Sequence, residues 1–165
     1  EGDVPSGWGN LTAEEMTSYF WMAGLSGGYG THGDTYRNDS DDSTEVRWWG
    51  KGGTLPGESP ERIRFFKSVM EKAPVREMKP ELIDNGDQAN LNNNIYIFSK
   101  TGDYYLAYTA DAEQTIEIKL DGDDDFKMTI INTWDMLTIE EGTAKARIFK
   151  YETVAPYTLV RFEKE

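Results

Sequence analysis

The chain has 165 residues, with 30 acidic against 17 basic side chains, a net charge of −13, 38% hydrophobic and 13% aromatic residues, and no cysteine. That length suits one ordinary domain, or a small domain with part of another, and the apolar share is enough for a folded core. The negative balance argues against nucleic-acid and anionic-membrane partners, and the missing cysteines remove disulfides, thiolate metal sites and cysteine nucleophiles.

The chain opens on the loop-like "EGDVPSGWGN", with no initiator methionine, and reads as a piece of a longer protein. Thr12 to Glu15, "TAEE", has capping-box spacing, in which a hydroxyl and a carboxylate three residues apart satisfy free amides at a helix start. Met16, Phe20 and Ala23 follow at helical spacing, so a first helix is expected over roughly 12 to 24, ending at Gly24 and Gly27. Gly28 to Thr31 is expected as a short buried strand. "RNDSDDSTEV" and "RWWGKGGTLPGESP" then form a long loop. "SPER" places Ser59 as a cap with proline at the first helical position, and Ile63, Phe66, Val69 and Met70 mark one face of a second helix that stops before Pro74.

From about Asn94 the period changes. "NIYIFSK", "DYYLAYTA", "QTIEIKL", "FKMTIINTW", "TAKARIFKY" and "YTLVRFEK" are rich in β-branched and aromatic residues, with "TGD", "LDGDDD" and "EEGT" as turns between them. Their spacing predicts an antiparallel β-sandwich. Trp134 of "NTWDM" is expected in that sandwich or at its contact with the first half. A helix-loop-helix piece with little strand cannot close a core around a sheet alone. Its order matches the last βα units of a (β/α)₈ barrel, whose functional residues sit at the carboxyl ends of strands. The fold class expected is therefore α/β plus all-β: a barrel segment over 1–73, a linker over 74–89 and a sandwich domain over 90–165.

"GGYGTHGDTY", residues 27 to 36, holds the single histidine of the chain. It lacks the lysine and hydroxyl residue of a phosphate-binding loop and the spacing of a dinucleotide fold. Its glycines instead suit close approach of a flat ligand, with Tyr29, His32 and Asp34 presenting polar groups. In "RWWGKGG", one of Trp48 and Trp49 is expected to stack on a sugar ring, the other to plug the core, and Lys51 to donate to hydroxyls. "DGDDD", residues 121 to 125, begins like a calcium loop, but its twelfth position is Asn132 rather than glutamate. A solvated hairpin turn is the favoured reading there, and no metal is assigned.

The "WGN" segment with its helix, "GGY-THG-TY", "GG-L-GESPERI-F" and the strand-rich tail with "INTWDM" resemble the C-terminal portion of bacterial clan A glycoside hydrolases. In that family a (β/α)₈ catalytic barrel is followed by a small β-sandwich. The resemblance covers essentially the whole chain and implies a retaining hydrolase of plant or microbial glycans that needs no cofactor. It also implies two partners, an oligosaccharide or glycoside substrate and the remainder of the catalytic barrel. Its acid/base would lie before residue 1. Glu1 is the candidate catalytic residue of this chain, either as nucleophile or, preferred, as a substrate-holding neighbour. His32, Trp48 and Gly53 carry over as sugar-subsite residues, while Asp34 stands where relatives often carry glutamate. A piece of this kind is expected to be inactive alone. The alternative is a non-catalytic sandwich module that binds carbohydrate or braces the barrel.

Overall fold

The structure is a computed structural model and describes residues 11–31, 36–37, 46–47, 57–81, 94–145 and 147–165. Helix α1 spans Ala13–Leu25 and begins on the expected capping box: the Thr12 amide donates to Glu15 Oε2 at 2.9 Å and the Glu15 amide donates to Thr12 Oγ1 at 3.2 Å. It ends in a Schellman turn. Gly27 takes a left-handed φ of 78°, and the Gly27 and Gly28 amides donate to the carbonyls of Gly24 and Ala23 at 3.1 and 2.8 Å. Helix α2 spans Ser59–Lys72 and is capped one residue earlier than expected, at Glu58, which puts Ser59 inside the first turn. It stops at Ala73, held extended at ψ 149° by the following Pro74.

The strands are β1 Tyr36–Arg37, β2 Val46–Arg47, β3 Lys79–Pro80, β4 Ile95–Lys100, β5 Tyr104–Thr109, β6 Thr115–Lys119, β7 Phe126–Asn132, β8 Leu137–Ala144, β9 Ile148–Glu152 and β10 Thr158–Lys164. β1 and β2 form a small antiparallel pair, Tyr36 opposite Arg47. The main sheet runs β3-β4-β5-β10-β7-β8, and β6-β9 forms a second sheet. All pairings are antiparallel. The architecture is mostly antiparallel sheet with two helices, consistent with a β-sandwich.

Side-chain alternation explains the layers, because residues two apart share a face. One face of the main sheet carries Ile97, Tyr105, Ala107, Phe126, Met128, Ile130, Val160 and Phe162. These are covered by Ile116 and Ile118 of β6 and by Phe149 and Tyr151 of β9, which stand opposite each other in register. The other face carries Phe98, Tyr104, Leu106, Tyr108, Ile131 and Leu159, and on it sit Trp21 and Leu25 of α1 with Val69 of α2. β5 is therefore buried on both faces along its whole length. Trp21 stacks on Tyr108 with ring centroids 5.4 Å apart, joining the first helix to the center of the sheet.

Two further expectations need correction. "EEGT" is not a turn: residues 140–143 lie within β8, which pairs with β7 and contains a bulge opposite Ile130/Ile131. β8 is exposed along almost its whole length, so no burial alternation marked it in the sequence. Gly28 to Thr31 is neither strand nor buried; it runs as exposed coil after α1. Strand geometry needs a neighboring backbone to pair with, and among the described residues none pairs with this segment. No helix among the described residues is long and apolar enough to cross a membrane.

Candidate functional site

The described part of the glycine-rich segment forms one edge of a groove of about 700 Å³ between α1, α2 and the sheet. Phe20, Ile63, Phe66, Met70, Val75 and Phe98 give it an apolar lining, while Lys67, Glu71 and Arg76 stand among its polar residues. Tyr29 lies on its edge and is 99% exposed.

The glycines of this region have reasons of their own. Gly27 is the left-handed residue that ends α1. A Cβ on Gly30 would stand 2.9 Å from the Phe20 ring, and one on Gly24 would stand 2.4 Å from Phe66 Cζ. The close approach they permit is that of neighboring aromatic rings. Phe66 meets Trp21 edge-on at 4.9 Å and Phe20 at 6.3 Å, so a ladder of rings ties the two helices together beside the groove.

Of the sequence-derived site residues, the structure describes Tyr29. Glu1, His32, Asp34, Trp48, Trp49, Lys51 and Gly53 lie outside the described residues. The elements that flank them are in place: α1 follows the segment with Glu1, β1 follows His32 and Asp34, and β2 leads into the tryptophan pair.

Trp134, expected in the sandwich or at its contact with the first half, lies at that contact. The Arg62 guanidinium sits over its indole at 3.8 Å, and Arg62 Nε donates to the Trp134 carbonyl at 3.0 Å. Arg62 also donates from Nη1 to the Glu58 carbonyl at 2.9 Å and faces the Glu58 carboxylate at 3.7 Å. This clasp fixes the start of α2 to the β7–β8 turn. Sequence reasoning singled out Trp134 but not its partner Arg62, which lies 72 positions away.

The acidic run between β6 and β7 is a turn with cationic neighbors. Asp121 faces Lys119 at 3.2 Å, Asp124 faces Lys164 at 2.7 Å, Asp125 faces Lys145 at 3.4 Å, and Asp123 pairs with Arg147.

No family model matches the chain, and no curated protein matches it. Solved structures do. One, a protein of Bacteroides vulgatus ATCC 8482 provisionally described as a glycoside hydrolase, is 26% identical, with a TM-score of 0.70 over 100% of this chain and 34% of its own. A second, described as a glycoside hydrolase, is 14% identical, with a TM-score of 0.65 over 93% of this chain and 37% of its own. A third, a glycoside hydrolase family 5 protein of the same Bacteroides strain, is 15% identical, with a TM-score of 0.66 over 95% of this chain and 37% of its own. The chain thus spans about a third of the length of these structures. Its structural neighbors are glycoside hydrolases by description, and it shares its fold with part of them.

Proposed function

We propose that the chain is the C-terminal portion of a retaining glycoside hydrolase acting on a plant or microbial glycan. Residues 1–73 supply the last βα units of its (β/α)₈ barrel, 74–89 a linker and 90–165 a sandwich that braces it. The observation that carries this reading is the match over 100% of the chain, at 26% identity, to a protein described as a glycoside hydrolase of which it spans 34%. The groove adds a physical argument. Two helices that leave Phe20, Ile63, Phe66 and Met70 along an open groove have unfinished packing, and the strands and helices of a barrel are what would cover it. The bracing role is favored by the common core of Trp21, Leu25 and Val69 with Leu106, Tyr108 and Leu159.

In this reading an acid/base outside the chain protonates the leaving oxygen. A carboxylate about 5 Å from it attacks the anomeric carbon, and water then hydrolyzes the covalent intermediate. Glu1 is that nucleophile or the carboxylate beside it. Tyr29, His32, Asp34, Trp48, Trp49, Lys51 and Gly53 hold sugar rings and hydroxyls, and donors among them stabilize charge as it develops.

The test is to extend the reading frame 5′ of Glu1, express the complete product and assay 4-nitrophenyl glycosides, reading the product anomer by NMR. The complete protein is expected to turn over with retention, and residues 1–165 alone to give no turnover. Turnover by the piece alone, or an upstream frame without alternating strands and helices, overturns the proposal.

A further inference from the structure

A second cleft, of about 550 Å³, lies where α1 meets the strand ends of the main sheet, and none of the sequence-derived sites accounts for it. Glu14, Ser18 and Tyr19 come from the start of α1, Asn94 precedes β4, Asp111 follows β5 and Tyr157 precedes β10. Tyr157 is not there by default. Its φ is 59° and that of Asn94 is 46°, a left-handed region that tyrosine rarely adopts. The surroundings enforce it: the Tyr157 carbonyl accepts from the Thr133 amide at 2.8 Å and from Thr133 Oγ1 at 3.0 Å, and its ring lies 5.8 Å from Trp134. A strained residue held this firmly presents its side chain in a fixed place. Across the cleft Tyr19 is half exposed.

The polar groups between these rings suit hydroxyls. Asn94 Nδ2 donates to Asp111 Oδ2 at 2.8 Å, an exposed pair that keeps further donor and acceptor capacity. The buried Ser18 Oγ accepts from the Tyr108 hydroxyl at 3.2 Å, which leaves its own proton to donate. Burial first, then Glu14, Asp111 and Glu15, hold the Tyr157 phenol above its ordinary pKa. Among the described residues the lining includes Glu14, Glu15 and Asp111 but no lysine or arginine, which disfavors an anionic ligand. A metal is also disfavored: among the described residues no three acidic or histidine side chains converge as a ligand set, and Glu15 Oε2 is engaged by the Thr12 amide.

We propose that this cleft is a second glycan-binding site, which takes an uncharged oligosaccharide between Tyr19 and Tyr157 with Glu14, Ser18 and the Asn94–Asp111 pair as hydroxyl partners. The proposal rests on the reading that the longer protein acts on a glycan. The test is calorimetric titration of the complete protein with soluble β-linked hexaoses of glucose, xylose and mannose, and with oligogalacturonate. Wild type is expected to show two binding events with at least one neutral hexaose and none at this cleft with oligogalacturonate. Tyr19→Ala and Tyr157→Gly are expected to weaken one event about tenfold and keep the other, since aromatic anchors dominate such contacts. Glycine accepts the positive φ without strain, so Tyr157→Gly keeps the loop intact, which an unchanged melting temperature verifies. A single event in wild type, unchanged titrations in both variants, or tighter binding of oligogalacturonate overturns the proposal. Turnover of 4-nitrophenyl glycosides by wild type is measured in parallel. Turnover with unaltered variant titrations fails the cleft alone, and loss of one event without turnover fails the hydrolase reading alone.

Discussion

At Gly24 the helix has given up side-chain volume so that a ring can lie across it. Alanine is the better helix former by roughly 1 kcal/mol, yet a Cβ there would stand 2.4 Å from Phe66 Cζ. Phe66 cannot simply swing aside, because it is packed edge-on against the fully buried Trp21 at 4.9 Å. Overpacking of this kind costs about 1–3 kcal/mol. Gly24→Ala is therefore expected to destabilize the protein by about 1 kcal/mol net, and Gly24→Ala with Phe66→Leu to recover most of that loss. Urea denaturation of the complete protein checks both; a single variant as stable as wild type would mean the rings have room to move. The same geometry shows what could be read at this scale from sequence and what could not. Gly27 was legible as a helix end because a chain-local rule governs it. Gly24 and Gly30 were not legible as sockets for Phe66 and Phe20, because only the crossing of α1 and α2 reveals which ring arrives.

Elements follow the same division. α1 and α2 were legible to within about a residue because capping boxes, N-terminal proline and pre-proline stops act locally. The strands from β4 to β7, with β10, were legible from their run of β-branched and aromatic residues. β8 was not, since Leu137 and Ile139 are 63% and 50% exposed and its glutamates and Gly142 imitate a turn. Pairing with β7 makes it a strand, and that is long-range information. The Arg62–Trp134 clasp is long-range too. Arg62 is largely buried, with 13% side-chain exposure, so its cation–π contact works at reduced dielectric and should exceed the value of an exposed pair. A double-mutant cycle with Arg62→Lys and Trp134→Leu is expected to give a coupling energy of about 1–2 kcal/mol. Lysine keeps the charge but loses the planar stack and the fixed donor geometry. Additive single effects would reduce the clasp to a geometric contact without energetic weight.

For the whole molecule, the question is whether helices and sheet can exist apart. The main sheet is a shared wall: the β6-β9 layer covers one face, and Trp21, Leu25 and Val69 cover the other. Each such apolar side chain contributes about 1.5–3 kcal/mol when fully buried. Together the three approach the 5–15 kcal/mol that separates a typical folded domain from its unfolded chain. The helices therefore depend on the sandwich, whatever else covers their groove side. The proposed site resists sequence reading for a related reason: its candidate residues fall in three separate stretches of sequence, at 1, 29–34 and 48–53, and no chain-local rule tells which of them a ligand would meet together. Removing residues 94–165 from the complete protein is accordingly expected to do more than trim an appendage. It strips the cover from Trp21, which otherwise stacks on Tyr108 at 5.4 Å, and opens that side of α1 and α2 to water. The truncated protein is expected to accumulate in the insoluble fraction, or, where soluble, to melt several degrees lower, in line with a loss of a few kcal/mol. A truncated protein with the melting temperature of the complete one would show that the helices are held from the groove side alone, and that the sandwich braces nothing.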